Sequence, residues 1–419
     1  MFKIENIKIL LKRSYRSKVA ENYFFMTFLQ VAGILISLIL YPYIIRTLGK
    51  EAYGTYIFIA SNISFLSLFI GFGFSLPALK KISLNQNDNN IKSQTVSEVL
   101  TSQIILCLFC AIFLAVLTVF IPFVRANKIL YFIIFLSTLG GILFPSWYFQ
   151  GIQKMKFVTY VNLALRLLTI PLIFIFIKSP ADLLKYTIIV SGLSFSGGIF
   201  TFFYLQIKEN IKIRFISIKT LKSVFADALP FFWTSTIDTL KHESITFIIG
   251  TFFNMSSVAL YDLANKIISI PRYIIYNINS ALFPNVMKNH TLDRIKKIMK
   301  TERLLSVVVI TIIVVFGYWA VLLLGGRNMI GAYPIVVIQS ITIFTWLIVG
   351  CYLNFIFIPH NKYNLVLKTK LVEIISLMFL QAISILFFNN ILYLVVSLVL
   401  SELLETLYCY LIVKKNKLI

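Results

Sequence analysis

Acid and histidine are scarce in this chain. Its 419 residues hold 16 Asp and Glu against 39 Lys and Arg, with only three His and four Cys. The histidines, His242, His290 and His360, are isolated in the sequence and show no metal-ligand spacing. The cysteines, Cys107, Cys110, Cys351 and Cys409, all fall inside apolar runs. Cys107 and Cys110 spell C-x-x-C, but no His or acid stands beside them, so packing as small side chains accounts for them better than a redox or metal site. There is no G-x-x-x-x-G-K-[ST] phosphate loop, which argues against direct drive by a nucleotide hydrolysed on this chain. Long polar connections are missing too. That leaves no room for a folded extramembrane domain, and the bare connections lack the clustered acids and histidines that catalysis on that face would need. No cofactor is implied, and the reading is a transporter rather than an enzyme.

What fills the chain is apolar. Hydrophobic residues make up 59% and aromatics 15%, with 13% charged, and mean hydropathy is +0.88. A helix crossing hydrocarbon needs roughly 20 such residues, because lipid offers the backbone no partners. About twelve stretches qualify, at roughly 24–45, 56–79, 98–123, 129–150, 158–178, 185–206, 225–250, 259–283, 304–324, 333–357, 365–388 and 391–413, the seventh and eighth being the weakest. The expected fold is therefore an all-α integral membrane protein of about 12 transmembrane helices. Its expected parts are an N-terminal six-helix bundle over 1–206, led by an amphipathic segment at 1–21, a cytoplasmic linker at 207–224, and a C-terminal six-helix bundle over 225–419.

Lys and Arg crowd alternate connections. About 28 fall on one side, with both termini, against about seven on the other, which places the termini in the cytoplasm by the positive-inside rule. The formal charge of +23 is dispersed over loops whose place at a membrane explains it, so nucleic acid is not an expected partner. Residues 1–21 interleave Phe2, Ile4, Ile7, Leu10 and Leu11 with basic residues and read as a retained helix on the inner leaflet.

A faint internal echo links the halves. Gly49, Gly54 and Tyr56 correspond to Asn254, Ala259 and Tyr261 at a constant offset, and the two helices end near Pro77 and Lys80 and near Pro284 and Lys288. At these positions the chain resembles the polysaccharide flippases of the multidrug/oligosaccharidyl-lipid/polysaccharide exporter superfamily, most of all the O-antigen unit translocases. RTLGKEAYG (Arg46–Gly54), PSWYFQGIQKMKF (Pro145–Phe157), LPFF (Leu229–Phe232), VALYDLANKI (Val258–Ile267) and ALFPNVMK (Ala281–Lys288) carry the resemblance. It implies two six-helix bundles around a central cavity in a bacterial inner membrane. It also implies movement of an undecaprenyl-pyrophosphate-linked oligosaccharide from the cytoplasmic to the periplasmic leaflet by alternating access, with a polysaccharide polymerase and a chain-length regulator as neighbours. Asn254 and Ala259 depart from glycines common in that family.

Charges within apolar helices cost about 2.5–3.5 kcal/mol each on insertion scales, so they face a cavity or a partner. Arg166, flanked by Leu165, Leu167 and Leu168, is the leading substrate-path candidate. Its guanidinium either meets the lipid pyrophosphate or acidic sugars, or pairs with an acid from another helix. Asp238 with Lys241, and Asp262 with Lys266, have same-face spacing and either neutralise one another locally or serve the path. Arg272 lies beyond both local pairs and is a further path candidate. Arg46, spaced i,i+4 from Lys50, reads as a headgroup anchor or an outer gate. Glu373, Glu402 and Glu405 have no evident basic neighbour inside the membrane and are the ion-coupling candidates. Trp147 and Tyr148 read as an aromatic belt. Two other functions compete. A multidrug or small-molecule antiporter would share the fold but need an acidic or aromatic cavity, and a polysaccharide polymerase or glycosyltransferase would need a large outward loop.

Overall fold

The computed structural model describes residues 18–214, 216–288, 292–360 and 362–416. Most of the amphipathic segment expected at 1–21, and His290, lie outside the described residues. Among the described residues all regular structure is helical, in the order α1 Lys18–Gly71, α2 Ser75–Leu84, α3 Asn89–Phe120, α4 Pro122–Ala126, α5 Lys128–Leu143, α6 Ser146–Gly151, α7 Met155–Phe176, α8 Leu183–Ile207, α9 Ile218–Phe252, α10 Met255–Lys288, α11 Leu292–Gly325, α12 Ala332–Tyr352, α13 Tyr363–Phe387 and α14 Ile391–Lys415. A five-residue π-helical turn, Leu353–Phe357, extends α12.

Nine helical stretches among the described residues are long and apolar enough to cross a membrane, so the chain is a multi-pass membrane protein. The first of them runs through Gly49, whose φ of 76° breaks α1 into two arms. Helices α9 and α10, at 35 and 34 residues, are also long enough to span but are interrupted by charge. Together these are consistent with about twelve crossings. On α1 the side chains of Phe24, Phe28, Val31, Leu35 and Ile39 form an uncovered stripe at helical spacing, as contact with lipid requires.

Capping residues set the helix boundaries. Asp88 accepts from the amides of Asn90 and Ile91 at 2.8 and 3.1 Å and opens α3. Asn390 does the same for α14 through Leu392 at 2.9 Å. Pro122 at the first turn of α4 fixes the break after α3.

The chain folds into two compact units. The first takes the described residues up to Leu40 together with Ile59–Thr236; the second takes Tyr41–Phe58 and the described residues from Ile237 onward. This grouping differs from halves split at 206 and 225. Residues 41–58 join the second unit because the glycine-marked segment there packs on α9, α10 and α11. Residues 207–224 do not form a free linker, since α9 begins at Ile218 and Lys212 and Arg214 before it are tied to α3. The amides of Lys212 and Arg214 donate to the hydroxyls of Ser93 and Ser97 at 3.1 and 2.9 Å.

In the first unit α5 and α8 touch through backbone. A Cβ on Gly198 would stand 2.4 Å from the carbonyl oxygen of Gly140, and one on Gly140 would stand 2.6 Å from that of Ser194. Small residues let two helices approach this closely where lipid supplies no hydrophobic drive. The LPFF segment seats on the turn after α1, with Phe232 stacked on Phe72 at 4.5 Å. Trp147 and Tyr148 are buried in this unit. The aromatic-belt expectation for them is therefore corrected: the turn after α5 folds them inward, while Phe157 stacks on Tyr204 at 3.9 Å. The four cysteines are buried free thiols.

Candidate functional site

In the second unit, the motifs around Arg46–Gly54 and Val258–Ile267 meet. Gly54 lies so close to the start of α10 that a Cβ there would be 1.8 Å from the Met255 carbonyl oxygen. This contact lets Tyr53 donate to Asp262 at 3.0 Å. Asp262 also receives Lys266 at 2.5 Å, and the Lys266 ammonium lies 4.9 Å over the Tyr41 ring. The i,i+4 pairing expected of Asp262 and Lys266 is present, and two tyrosines from the α1 arm complete it. Arg46 donates to the Leu323 carbonyl at 2.7 Å. Its guanidinium thus satisfies an orphan acceptor at the C-terminal end of α11, where a cation also complements the helix dipole.

A larger cluster lies further along the same unit. Lys241 of α9 ion-pairs with Glu373 of α13 and with Glu402 of α14, the latter at 3.1 Å. Lys370 bridges Glu373 at 2.8 Å and Glu405 at 3.1 Å. Arg272 of α10 approaches Glu402 at 4.0 Å and donates to the Thr342 hydroxyl at 2.5 Å and to its carbonyl at 3.1 Å. Thr345 donates to the second oxygen of Glu402 at 2.5 Å. The three carboxylates are each only 2% exposed. Three cations and three anions from four helices thus neutralise one another, the arrangement in which buried charge is tolerated.

Two expectations are corrected here. Glu373, Glu402 and Glu405 do have basic neighbours, and the case for them as proton carriers rests on there being none. Asp238 does not pair with Lys241: it is exposed, while Lys241 reaches across to α13 and α14. Lys370 is a site residue that sequence reasoning misses. Its i,i+3 spacing to Glu373 is the signal that could find it, but in the sequence it groups with the basic connection that starts at Lys362.

Arg166, in the first unit, is placed differently. It lies on an exposed face of α7 with its guanidinium against the α1 backbone, so a Cβ on Gly33 would fall 2.0 Å from Nη1. Among the described residues no carboxylate pairs with it. Elsewhere in this unit Lys81 pairs with Glu98 at 2.9 Å, and Lys154 grips both oxygens of Glu209 at 2.6 and 2.9 Å.

A cavity of about 410 Å³ opens beside the six-charge cluster. Its wall includes Lys241, Lys370, Glu402, Glu405, Trp346 and Asn354.

The fold is one seen in a MATE family transporter and in the lipid II flippase MurJ. The chain superposes on the inward-closed lipid II flippase MurJ with a TM-score of 0.67, at 14% identity, covering 94% of this chain and 87% of that one. It superposes on an inward-facing multidrug resistance MATE family transporter with a TM-score of 0.66, at 12% identity, covering 91% and 98%. In sequence, the chain belongs to the polysaccharide biosynthesis protein family, whose profile matches residues 19–290. Among its relatives is a protein named "Putative O-antigen transporter" from Escherichia coli (strain K12), 24% identical over 310 residues, 74% of each chain. Another of the same name, from Shigella dysenteriae, is 24% identical over 270 residues, 64% of this chain and 67% of that one.

Proposed function

We propose that the chain moves an undecaprenyl-pyrophosphate-linked oligosaccharide, the repeat unit of O-antigen or a related surface polysaccharide, from the cytoplasmic to the periplasmic leaflet of a bacterial inner membrane. Both termini lie in the cytoplasm, and the site is exposed to one side and then the other. A polymerase and a chain-length regulator act on the delivered units.

The observation that carries this reading is Arg166, a guanidinium in the midst of an apolar helix with no carboxylate partner among the described residues. An unpaired cation at that depth is costly unless an anion visits it, and a guanidinium can hold phosphate oxygens in bidentate fashion. Family membership and the flippase-like fold point the same way. A cationic-drug exporter is disfavoured because every acid of the buried cluster already holds a cation of the chain itself.

The test is a leaflet-resolved assay of labelled lipid-linked oligosaccharide in a deletion strain carrying the wild-type gene or Arg166→Ala. Wild type should move label to the outer leaflet, and the variant, at equal membrane abundance, should leave it inside. Equal transfer by both would sink the role of Arg166; no transfer by wild type would sink the flippase.

A further inference from the structure

The cavity beside the buried cluster differs in chemistry from the Arg166 position. Four charged side chains line it, Lys241, Lys370, Glu402 and Glu405, and each already has an opposite partner. A phosphate entering here would have to displace carboxylates from both lysines and leave them buried without counter-ions. A cationic ligand would have to displace the lysines in turn. Either exchange strands a buried charge, which is strongly unfavourable. What the pocket offers at no such cost is a neutral surface dense in both donors and acceptors: ammonium protons, carboxylate oxygens and side-chain amides.

It also has an apolar face. Trp346 and Phe355 line the same space, and the Arg272 guanidinium lies 6.0 Å from the Trp346 ring. The backbone is irregular at this wall and nowhere else along α12. The π-helical turn Leu353–Phe357 is closed by a bond from the Ile358 amide to the Leu353 carbonyl at 3.0 Å. π-Helical turns recur at functional sites because the wider turn re-aims side chains. Here it sets Asn354 into the lining, exposed and without an intramolecular hydrogen-bond partner among the described residues. The volume, about 410 Å³, lies at the small end of the roughly 300–1,000 Å³ that small ligands fill, room for one or two sugar rings.

We infer that this cavity is a saccharide-reading subsite, which takes a neutral pyranose of the cargo's glycan with its C–H face against Trp346 and its hydroxyls on Asn354 and the paired charges. The inference rests on the flippase reading and adds to it a separate place where the glycan, rather than the pyrophosphate, is recognised. An aromatic plane beside fixed donors and acceptors is the chemistry that distinguishes a polyol ring from lipid or phosphate.

The experiment uses the full chain purified in detergent. Methyl glycosides of glucose, galactose, N-acetylglucosamine and rhamnose are each titrated while thermal unfolding is followed, with inorganic pyrophosphate as the anionic probe. At least one neutral glycoside should raise the melting temperature saturably. Asn354→Ala, a change at an exposed and unbonded side chain, should weaken that binding about ten-fold, the loss of one amide contact. Trp346→Leu should weaken it further, while the response to pyrophosphate should be unchanged in both variants and lost in Arg166→Ala. If none of the four glycosides binds, or if Asn354→Ala and Trp346→Leu bind them as wild type does, the subsite is refuted. Wild type that still transfers lipid-linked oligosaccharide between leaflets would then leave the flippase standing. Glycoside binding without any transfer would do the reverse.

Discussion

Lys241 and Glu402 meet at 3.1 Å, although Lys241 has an acid of its own helix, Asp238, one turn away. The choice follows from burial. Glu402 is 2% exposed and its oxygens are held by Lys241 and Thr345, whereas Asp238 is exposed and gains little from a partner.

Replacing Lys241 by Met should therefore cost about 3–5 kcal/mol, the usual penalty for stranding a buried charge. Asp238→Asn should stay within about 0.5 kcal/mol. Thermal unfolding of the purified variants in detergent separates the two, and adding Glu402→Gln to Lys241→Met should recover part of the loss. A harmless Lys241→Met would mean the cluster does not hold the unit together.

Gly54 should tolerate no side chain. A Cβ there would meet the Met255 carbonyl oxygen at 1.8 Å, so Gly54→Val should abolish folded protein. Gly49→Ala, open in space but held at φ 76°, should cost only about 1–3 kcal/mol of backbone strain. Yield and monodispersity after extraction report the first, and the melting temperature reports the second.

At Arg166, charge alone should not suffice. Arg166→Lys keeps the cation but loses the planar fork, so it should restore only part of the transfer lost in Arg166→Ala. Surface polysaccharide at matched membrane abundance is the readout, and full rescue by Lys would argue against bidentate phosphate contact.

Glu209, just after α8, is held to Lys154 through two short bonds. Glu209→Gln should weaken that tie by about 1.5–3 kcal/mol, the worth of hydrogen bonds to a charged group. Faster proteolysis within 208–214, with the helices unaffected, would register it.

Much of this architecture is legible in the order of the amino acids. Apolar length marks the spans, and Gly49 falls at the break between the first two. The i,i+4 spacing of Asp262 and Lys266 announces a pair that is present. Spacing fails for Lys241 because it surveys only one helix, while the partners stand on α13 and α14, brought near by tertiary packing. The same limit hides the counter-ions of Glu402 and Glu405. The π-helical turn at Leu353–Phe357 has no signature at all, since Leu, Asn, Phe and Ile fit an ordinary helix end equally well.

The equal count of cations and anions in the buried cluster also constrains how this chain can evolve. A lone change at position 241, 373 or 402 leaves an odd charge in the protein interior, at a cost of about 3–5 kcal/mol out of a stability margin of about 5–15 kcal/mol for a typical fold. Drift at these sites is then confined to paired steps, a neutral residue arriving opposite another or a sign swap across two helices. Lineages should carry the cluster whole, inverted or erased, and seldom halved.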